Sequence, residues 1–189
     1  MLTVMASRGD WLDAGLEILA GEGAPAITIE RLTERLGLTK GSFYHHFKGM
    51  GGYKTDLLAH LEEVTTTRYI VLTEQDPAAP PMVKLQRLRD LVLGLERQGP
   101  ELEVALRAWA QQDAEVRALQ ERIDARRLDY LRTLWTELSG DAGEADQVAK
   151  LLYLVVIGAG HLIPPIPKNE LGRLFELTVR LAAGDRALS

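Results

Sequence analysis

The chain has no cysteine among its 189 residues, which excludes disulfides and thiolate metal sites. Histidine is scarce too. The four present, His45, His46, His60 and His161, show no HExxH-type spacing, so no metal site is indicated. No basic segment followed by an apolar run opens the chain, and no secretory signal is expected. The longest apolar run, Leu151 to Ile163, falls short of the roughly 20 residues that span a bilayer. These absences point to a cytoplasmic protein without a membrane role. Strand signals are missing as well, since no stretch alternates convincingly between apolar and polar residues. Nor is there a basic excess: the net charge of −5 argues, at first sight, against nucleic acid as a partner. What is present is ordinary for a folded protein. With 46% hydrophobic and 26% charged residues, the chain can build one sizeable core or a small module fused to a larger one.

Helical patterns fill almost the whole length. Trp11, Gly15, Leu16, Ile18 and Leu19 mark a first helix ending near Gly21–Gly23. Thr28 is a good N-cap for a second, in which Ile29, Leu32 and Leu36 repeat at helical spacing and Gly37 supplies the stop. Thr39 caps a third, carrying Phe43 and Phe47 four residues apart on one face. After Gly49–Gly52 a longer helix is expected from about Tyr53 to Glu74. The proline-rich segment Asp76 to Pro81 reads as a linker, with Pro81 suited to the first turn of a helix that ends near Gly99. Pro100 to Ala110 forms a short helix, and a long one begins at Asp113. Gly140–Gly143 breaks it, an apolar helix follows to Ile163, and a last one runs from about Asn169 to Ala183. The expectation is an all-α protein of about nine helices without internal repeats.

Charge distribution matters more than its sum. From Thr39 to Thr55 there is no Asp or Glu, while Lys40, Lys48 and Lys54 are present. Such a patch can meet phosphates if the acids lie elsewhere. The two short helices between Thr28 and Phe47, joined at Gly37-Leu38, have helix-turn-helix proportions. If Phe43 and Phe47 point into a small core, Lys40, Gly41, Ser42, Tyr44 and His45 are left on or beside the outward face. Gly41 lets a backbone approach another surface. Ser42 and Tyr44 offer hydroxyls for phosphate oxygens, and the helix N-terminus favours an anion. Lys40, near the tip, is placed to reach a base edge in the major groove. The partner these residues fit is duplex DNA. A plain helix pair within a bundle, with Tyr44 and His46 at the core edge, is the alternative.

The stretch "AITIERLTERLGLTKGSFYHHFKG" closely resembles the DNA-binding domain of the TetR family of bacterial transcriptional regulators, and the similarity covers about residues 8 to 62. The resemblance implies a DNA-binding domain over 1–62, with its helix-turn-helix at 28–47, and a helical effector-binding and dimerisation domain over 63–189. It makes the third helix, capped by Thr39, the recognition helix. Thr28, Ser42, Tyr44, His46 and Lys48 then look like contacts to the DNA backbone, and Lys40, Gly41, Tyr44 and His45 like the residues nearest the bases. The family usually opens its fourth helix with a lysine and an acidic residue. This chain has Met50-Gly51-Gly52 there, leaving Lys48 or Lys54 to supply the phosphate contact. The glycines should loosen that helix start by roughly 0.5–1 kcal/mol each relative to alanine. Gly15 also stands where alanine is more usual, which looks like a small difference.

The remaining two-thirds carries no motif, as expected of a divergent effector domain. By resemblance the chain is a ligand-responsive repressor that binds a palindromic operator as a dimer, with an unidentified small-molecule effector and no cofactor. Leu151 to Ile163 is apolar on every side and needs cover all round. With the last helix it is expected to form a two-fold four-helix dimer contact through Leu151, Leu152, Val155, Leu171, Leu174, Phe175 and Thr178. Burial within one subunit is the other possibility. Trp109, Tyr130, Trp135 and His161 are the residues that could line an effector pocket between Met82 and Ile163, although each also reads as a core residue. No nucleophile, base and orienting group are assembled around His45, His46 or His60, so an enzyme is not indicated. A helical small-molecule-binding or protein-interaction protein that has lost DNA binding stays open, on the strength of Met50-Gly51-Gly52.

Overall fold

The helical signals are realised as ten α-helical stretches in the computed structural model, which describes residues 6–94 and 99–184. They are α1 (Arg8–Glu22), α2 (Ile29–Leu36), α3 (Lys40–His46), α4 (Gly49–Glu62), α5 (Arg68–Thr73), α6 (Pro81–Gly94), α7 (Pro100–Ala110), α8 (Ala114–Ser139), α9 (Ala142–His161) and α10 (Lys168–Ala183). A π-helical segment, Glu63–Thr67, joins α4 to α5, so the rod expected from Tyr53 to Glu74 exists with an altered turn in it. Counting that rod once gives nine helices and no strand among the described residues. The α6 helix is described through Gly94; residues 95–98 of the stretch expected to reach Gly99 lie outside the described residues.

The chain divides into two compact units, Met1–Val64 with Glu101–Gln120, and Thr65–Pro100 with Glu121–Ser189. The expected single division near residue 62 treats the domains as sequential, whereas the units interleave. In the first unit, α1 opens with a capping box: the Ser7 hydroxyl accepts from the Asp10 N–H at 3.2 Å, and the Asp10 carboxylate accepts from the Ser7 N–H at 2.6 Å. Trp11, Ile18 and Leu19 are fully buried, with Leu32, Phe43, Tyr53, Leu57 and Leu61. The aromatics interlock: Phe43 meets Trp11 edge-on at 5.6 Å, and Phe47 meets Tyr53 edge-on at 4.9 Å. On α7 and the start of α8, Leu102, Leu106, Ala110, Val116 and Leu119 add buried apolar surface. Asp113 caps α8 by accepting from the Glu115 and Val116 N–H groups, and Arg117 donates to the Ala110 and Gln111 carbonyls that end α7.

The second unit is built around Leu85, Leu131, Leu134, Trp135, Val148, Leu152 and Phe175. A polar network lies beside that core. Lys84, itself buried, holds Glu74 at 2.6 Å, and Glu74 also accepts from the Tyr130 hydroxyl at 2.6 Å. Burial of a lysine is tolerated because its ammonium is paired and hydrogen-bonded. The threonines of the π segment are tied down by α8: Arg127 donates to the Thr66 hydroxyl at 3.0 Å and the Thr65 carbonyl at 3.2 Å, and Arg126 donates to the Thr67 hydroxyl at 2.8 Å.

Candidate nucleic-acid interface

Two helix N-termini build the interface. Thr28 accepts from the Arg31 N–H at 3.1 Å to start α2, and Thr39 accepts from the Ser42 N–H at 3.3 Å to start α3. Between them Gly37 takes φ 65°, the left-handed conformation that a residue with a Cβ resists. The Leu38 N–H then reaches back to the Thr33 carbonyl at 3.0 Å, closing the α2 end in a Schellman arrangement. Phe43 and Phe47 turn into the core, as expected, and fix the roll of α3 about its axis.

That roll decides what faces outward. Lys40, Gly41, Tyr44, His45 and Lys48 are exposed, and Ser42 is half-exposed. Nothing but the Thr39 hydroxyl, at 3.6 Å, comes near the space a Cβ on Gly41 would fill, so that end of α3 is open to a close approach. His46 is placed differently from the expectation. It is half-buried, and its Nε2 lies 3.1 Å from the Ala6 carbonyl, so the ring secures the start of α1 instead of facing a phosphate. Thr28 and Thr39 are exposed, but their hydroxyls are occupied as caps.

The electrostatics are not those of a free basic patch. Between residues 6 and 64 nine carboxylates stand against six Lys and Arg side chains. Arg31 is held by Glu22 and Glu34 at 2.8 Å each, Arg35 by Glu17 at 2.7 Å, and Arg8 by Asp56. Lys40 is paired with Glu30, an acid in the first turn of α2. The hydrogen bond from Lys40 and its charge hold the Glu30 carboxyl below the usual range. Lys54 lies between Asp113 at 2.7 Å and Glu115 at 2.9 Å, with Trp109 at 5.8 Å from its ammonium. Burial would lower the Lys54 pKa, but those two carboxylates more than offset it and raise it. Lys54 is therefore committed within its own unit and does not replace the missing phosphate contact. Among the described residues of this stretch, Lys48 alone has no ion-pair partner.

The glycine-rich segment also differs from expectation. Gly49 to Gly52 form the first turn of α4, and only Gly49 takes a positive φ, 89°. Gly51 and Gly52 are helical, and their segment is no gap before the helix. Gly15 proves to be more than a small difference. A Cβ built there would lie 2.0 Å from the Tyr53 hydroxyl oxygen, which donates at 2.8 Å to the Trp11 carbonyl.

The expected effector-pocket residues fall in both units. Trp109 belongs to the first unit, beside Lys54. Trp135 is buried in the second unit's core and donates to Glu144 at 3.3 Å; Tyr130 is half-buried against Glu74; His161 is exposed, with Nδ1 2.8 Å from the Ile157 carbonyl. The dimer set divides as well. Leu152, Phe175 and Thr178 are buried within the chain, and Thr178 donates to the Leu174 carbonyl, so these three are not available to a partner. Leu151 is exposed, while Val155, Leu171 and Leu174 are half-exposed. Sequence reasoning missed three more apolar residues that α9 and α10 leave uncovered: Leu154 (65% exposed), Leu177 (38%) and Leu181 (72%).

Comparison with known proteins agrees with the geometry. Residues 12–60 match the sequence family described as bacterial regulatory proteins, tetR family. No curated protein matches the chain. Solved structures with a similar fold include a putative TetR-family transcriptional regulator from Rhodococcus sp., 17% identical, with a TM-score of 0.74 over 94% of this chain and 98% of that one. A TetR transcription regulator from Haloarcula marismortui is 18% identical, with a TM-score of 0.71 over 93% and 95% of the two chains. A transcriptional regulator from Rhodococcus sp. Rha1 is 16% identical, with a TM-score of 0.72 over 94% and 96%. The likeness in fold thus runs along nearly the whole chain, and the match to the tetR family of bacterial regulatory proteins covers residues 12–60.

Proposed function

We propose that this DNA-binding transcriptional regulator acts as a ligand-responsive repressor, seated as a homodimer on a palindromic operator. The observation that carries the DNA-binding part is the orientation of α3: Phe43 and Phe47 anchor it, and Lys40, Gly41, Tyr44 and His45 are left outward at its N-terminal end. Lys48, Ser42 and the Tyr44 hydroxyl supply contacts to the phosphates, and the α3 N-terminus adds unpaired N–H groups. Pairing of two chains is supported by Leu151, Leu154, Leu177 and Leu181, whose apolar side chains need cover that one chain does not give them. Two reading helices related by such a two-fold axis would meet half-sites one helical turn apart, about 34–36 Å, or a multiple of it.

Release by a small molecule is the family's mode of control, and here it belongs to the second unit. A ligand can weaken operator binding only if it favours a conformer whose two reading heads are wrongly spaced. Coupling of 1–3 kcal/mol is typical, so an effector should lower operator affinity roughly five- to 150-fold. A gel shift with the DNA upstream of the protein's own gene tests the reading, with a salt titration to count phosphate contacts. A specific band that survives competitor DNA is the expected result. No retardation at micromolar protein and low salt would favour a helical binding protein without DNA-reading function.

A further inference from the structure

The Glu30–Lys40 ion pair sits on the face that the proposed function turns toward DNA. Glu30 is the second residue of α2 and Lys40 the first of α3, so two helix N-termini bring the two charges together. Both remain open to solvent, with side chains 67% and 59% exposed. A carboxylate on a DNA-facing surface repels phosphates and weakens binding to any duplex. Its presence calls for a donor that only certain sequences offer.

We propose that Glu30 and Lys40 act as one reading unit that selects a G·C pair in each half-site. In the major groove a G·C pair presents two adjacent acceptors, guanine N7 and O6, followed by one donor, the cytosine N4 amino group. An ammonium beside a carboxylate is the complement of that edge. Lys40 donates to N7 and O6, Glu30 accepts from N4, and the ion pair need not be broken to do so. An A·T pair fits worse. Its central donor, adenine N6, lies between two acceptors, N7 and thymine O4, so the carboxylate would face an acceptor beside the thymine methyl. Glu30 is thus a specificity-determining residue that lowers affinity for random sequence and raises discrimination at one position. Its ionised form is secured at this place by Lys40 and by the α2 N-terminus.

This inference rests on the DNA-reading function proposed above, and one experiment separates the two. Duplexes are selected from a randomised library with the full-length protein, and affinities are measured by fluorescence anisotropy for wild type, Glu30→Gln and Lys40→Ala. Wild type should select a half-site with a fixed G·C pair, and replacing that pair by A·T should cost roughly five- to 150-fold. In Glu30→Gln the same replacement should cost several-fold less than in wild type, with only the Lys40 contacts left to discriminate, while affinity for random duplex rises. Lys40→Ala should lose the preference at that same position. Because both side chains are exposed, unchanged thermal melting is expected and verifies that the variants fold. If Glu30→Gln selects the same half-site with the same discrimination, Glu30 does no more than neutralise Lys40 and the proposal fails. A fixed A·T pair at the Lys40-sensitive position overturns it equally. If wild type selects no sequence at all, the DNA-reading function itself is wrong, a different and recognisable failure.

Discussion

Replacing Gly15 by alanine tests how the reading head is assembled. The new Cβ would lie 2.0 Å from the Tyr53 hydroxyl oxygen, 3.1 Å from the ring carbon that bears it and 3.0 Å from a Leu57 methyl. Tyr53 is fully buried and packs against both Phe43 and Phe47, so it has little room to withdraw. Overpacking of this kind costs about 1–3 kcal/mol. Displacing the hydroxyl also breaks its 2.8 Å bond to the Trp11 carbonyl inside the core, for roughly another 1–3 kcal/mol. Alanine recovers about 1 kcal/mol through helix propensity. The net loss should be about 1–5 kcal/mol, or roughly 2–20 °C in Tm for a chain of this size. Tyr53→Phe alone should cost about 1 kcal/mol. In the double variant most of the clash is gone, although the 3.1 Å contact leaves the recovery incomplete. Urea unfolding of the four proteins should give a coupling energy of about 1.5–3 kcal/mol. A Gly15→Ala protein as stable as wild type, or a coupling below about 0.5 kcal/mol, would refute the packing reasoning.

Lys48→Ala should weaken binding to all duplexes alike and lower the salt slope by roughly 1, because Lys48 is the exposed cation without an internal partner among the described residues of its stretch. A salt titration of operator affinity checks this, and an unchanged slope would remove Lys48 from the phosphate contacts. Leu154→Asp with Leu181→Asp should give a folded monomer in sedimentation, whereas Leu152→Ala should cost about 2–5 kcal/mol of stability through a core cavity. A dimeric double variant would place the subunit contact elsewhere. Gly51→Ala and Gly52→Ala should each stabilise the protein by about 0.5–1 kcal/mol, since both sites are helical and nothing lies within 3.9 Å of either added Cβ. Thermal melting reads the gain, and a loss would mean that this turn must bend.

How far the sequence could be read depended on whether a feature is local. The caps at Thr28 and Thr39, the stop at Gly37 and the Phe43/Phe47 face lie within a few residues of what they control, and they were legible from spacing alone. Glu30 and Lys40 are ten residues apart on different helices, outside any i,i+4 pattern, so only folding reveals the pair. The same holds for Lys54, whose partners Asp113 and Glu115 lie some sixty residues away and turn an apparent phosphate ligand into an internal clamp. Gly15 is the clearest case: its departure from the usual alanine is minor in sequence, but Tyr53, 42 residues from Trp11, lies over the missing Cβ. On α9 an all-apolar stretch could not show which side is inward, because helical periodicity carries no direction when every face is apolar. Hence the sequence pattern does not separate Leu152, which is buried, from Leu154, which is exposed.

The ion pairs bear on how such a head can hold DNA at all. A lysine or arginine that already holds a carboxylate gains less from a phosphate, because the internal pair must be exchanged and fewer condensed counterions are released per contact. Arg8, Arg31, Arg35, Lys40 and Lys54 are all in that position. Sequence-independent attraction should therefore be weak, and on the proposed function binding would lean on contacts that do not depend on net charge: the N–H groups at the α3 N-terminus, the Ser42 and Tyr44 hydroxyls, and base edges within reach of Lys40 and His45. Specificity is the ratio of operator binding to random binding, and an acidic head raises that ratio by lowering its denominator. A free lysine in place of each paired one would strengthen binding everywhere and discriminate less. On the proposed function, the negative charge that at first sight argues against DNA would keep this head from settling on the wrong sequence.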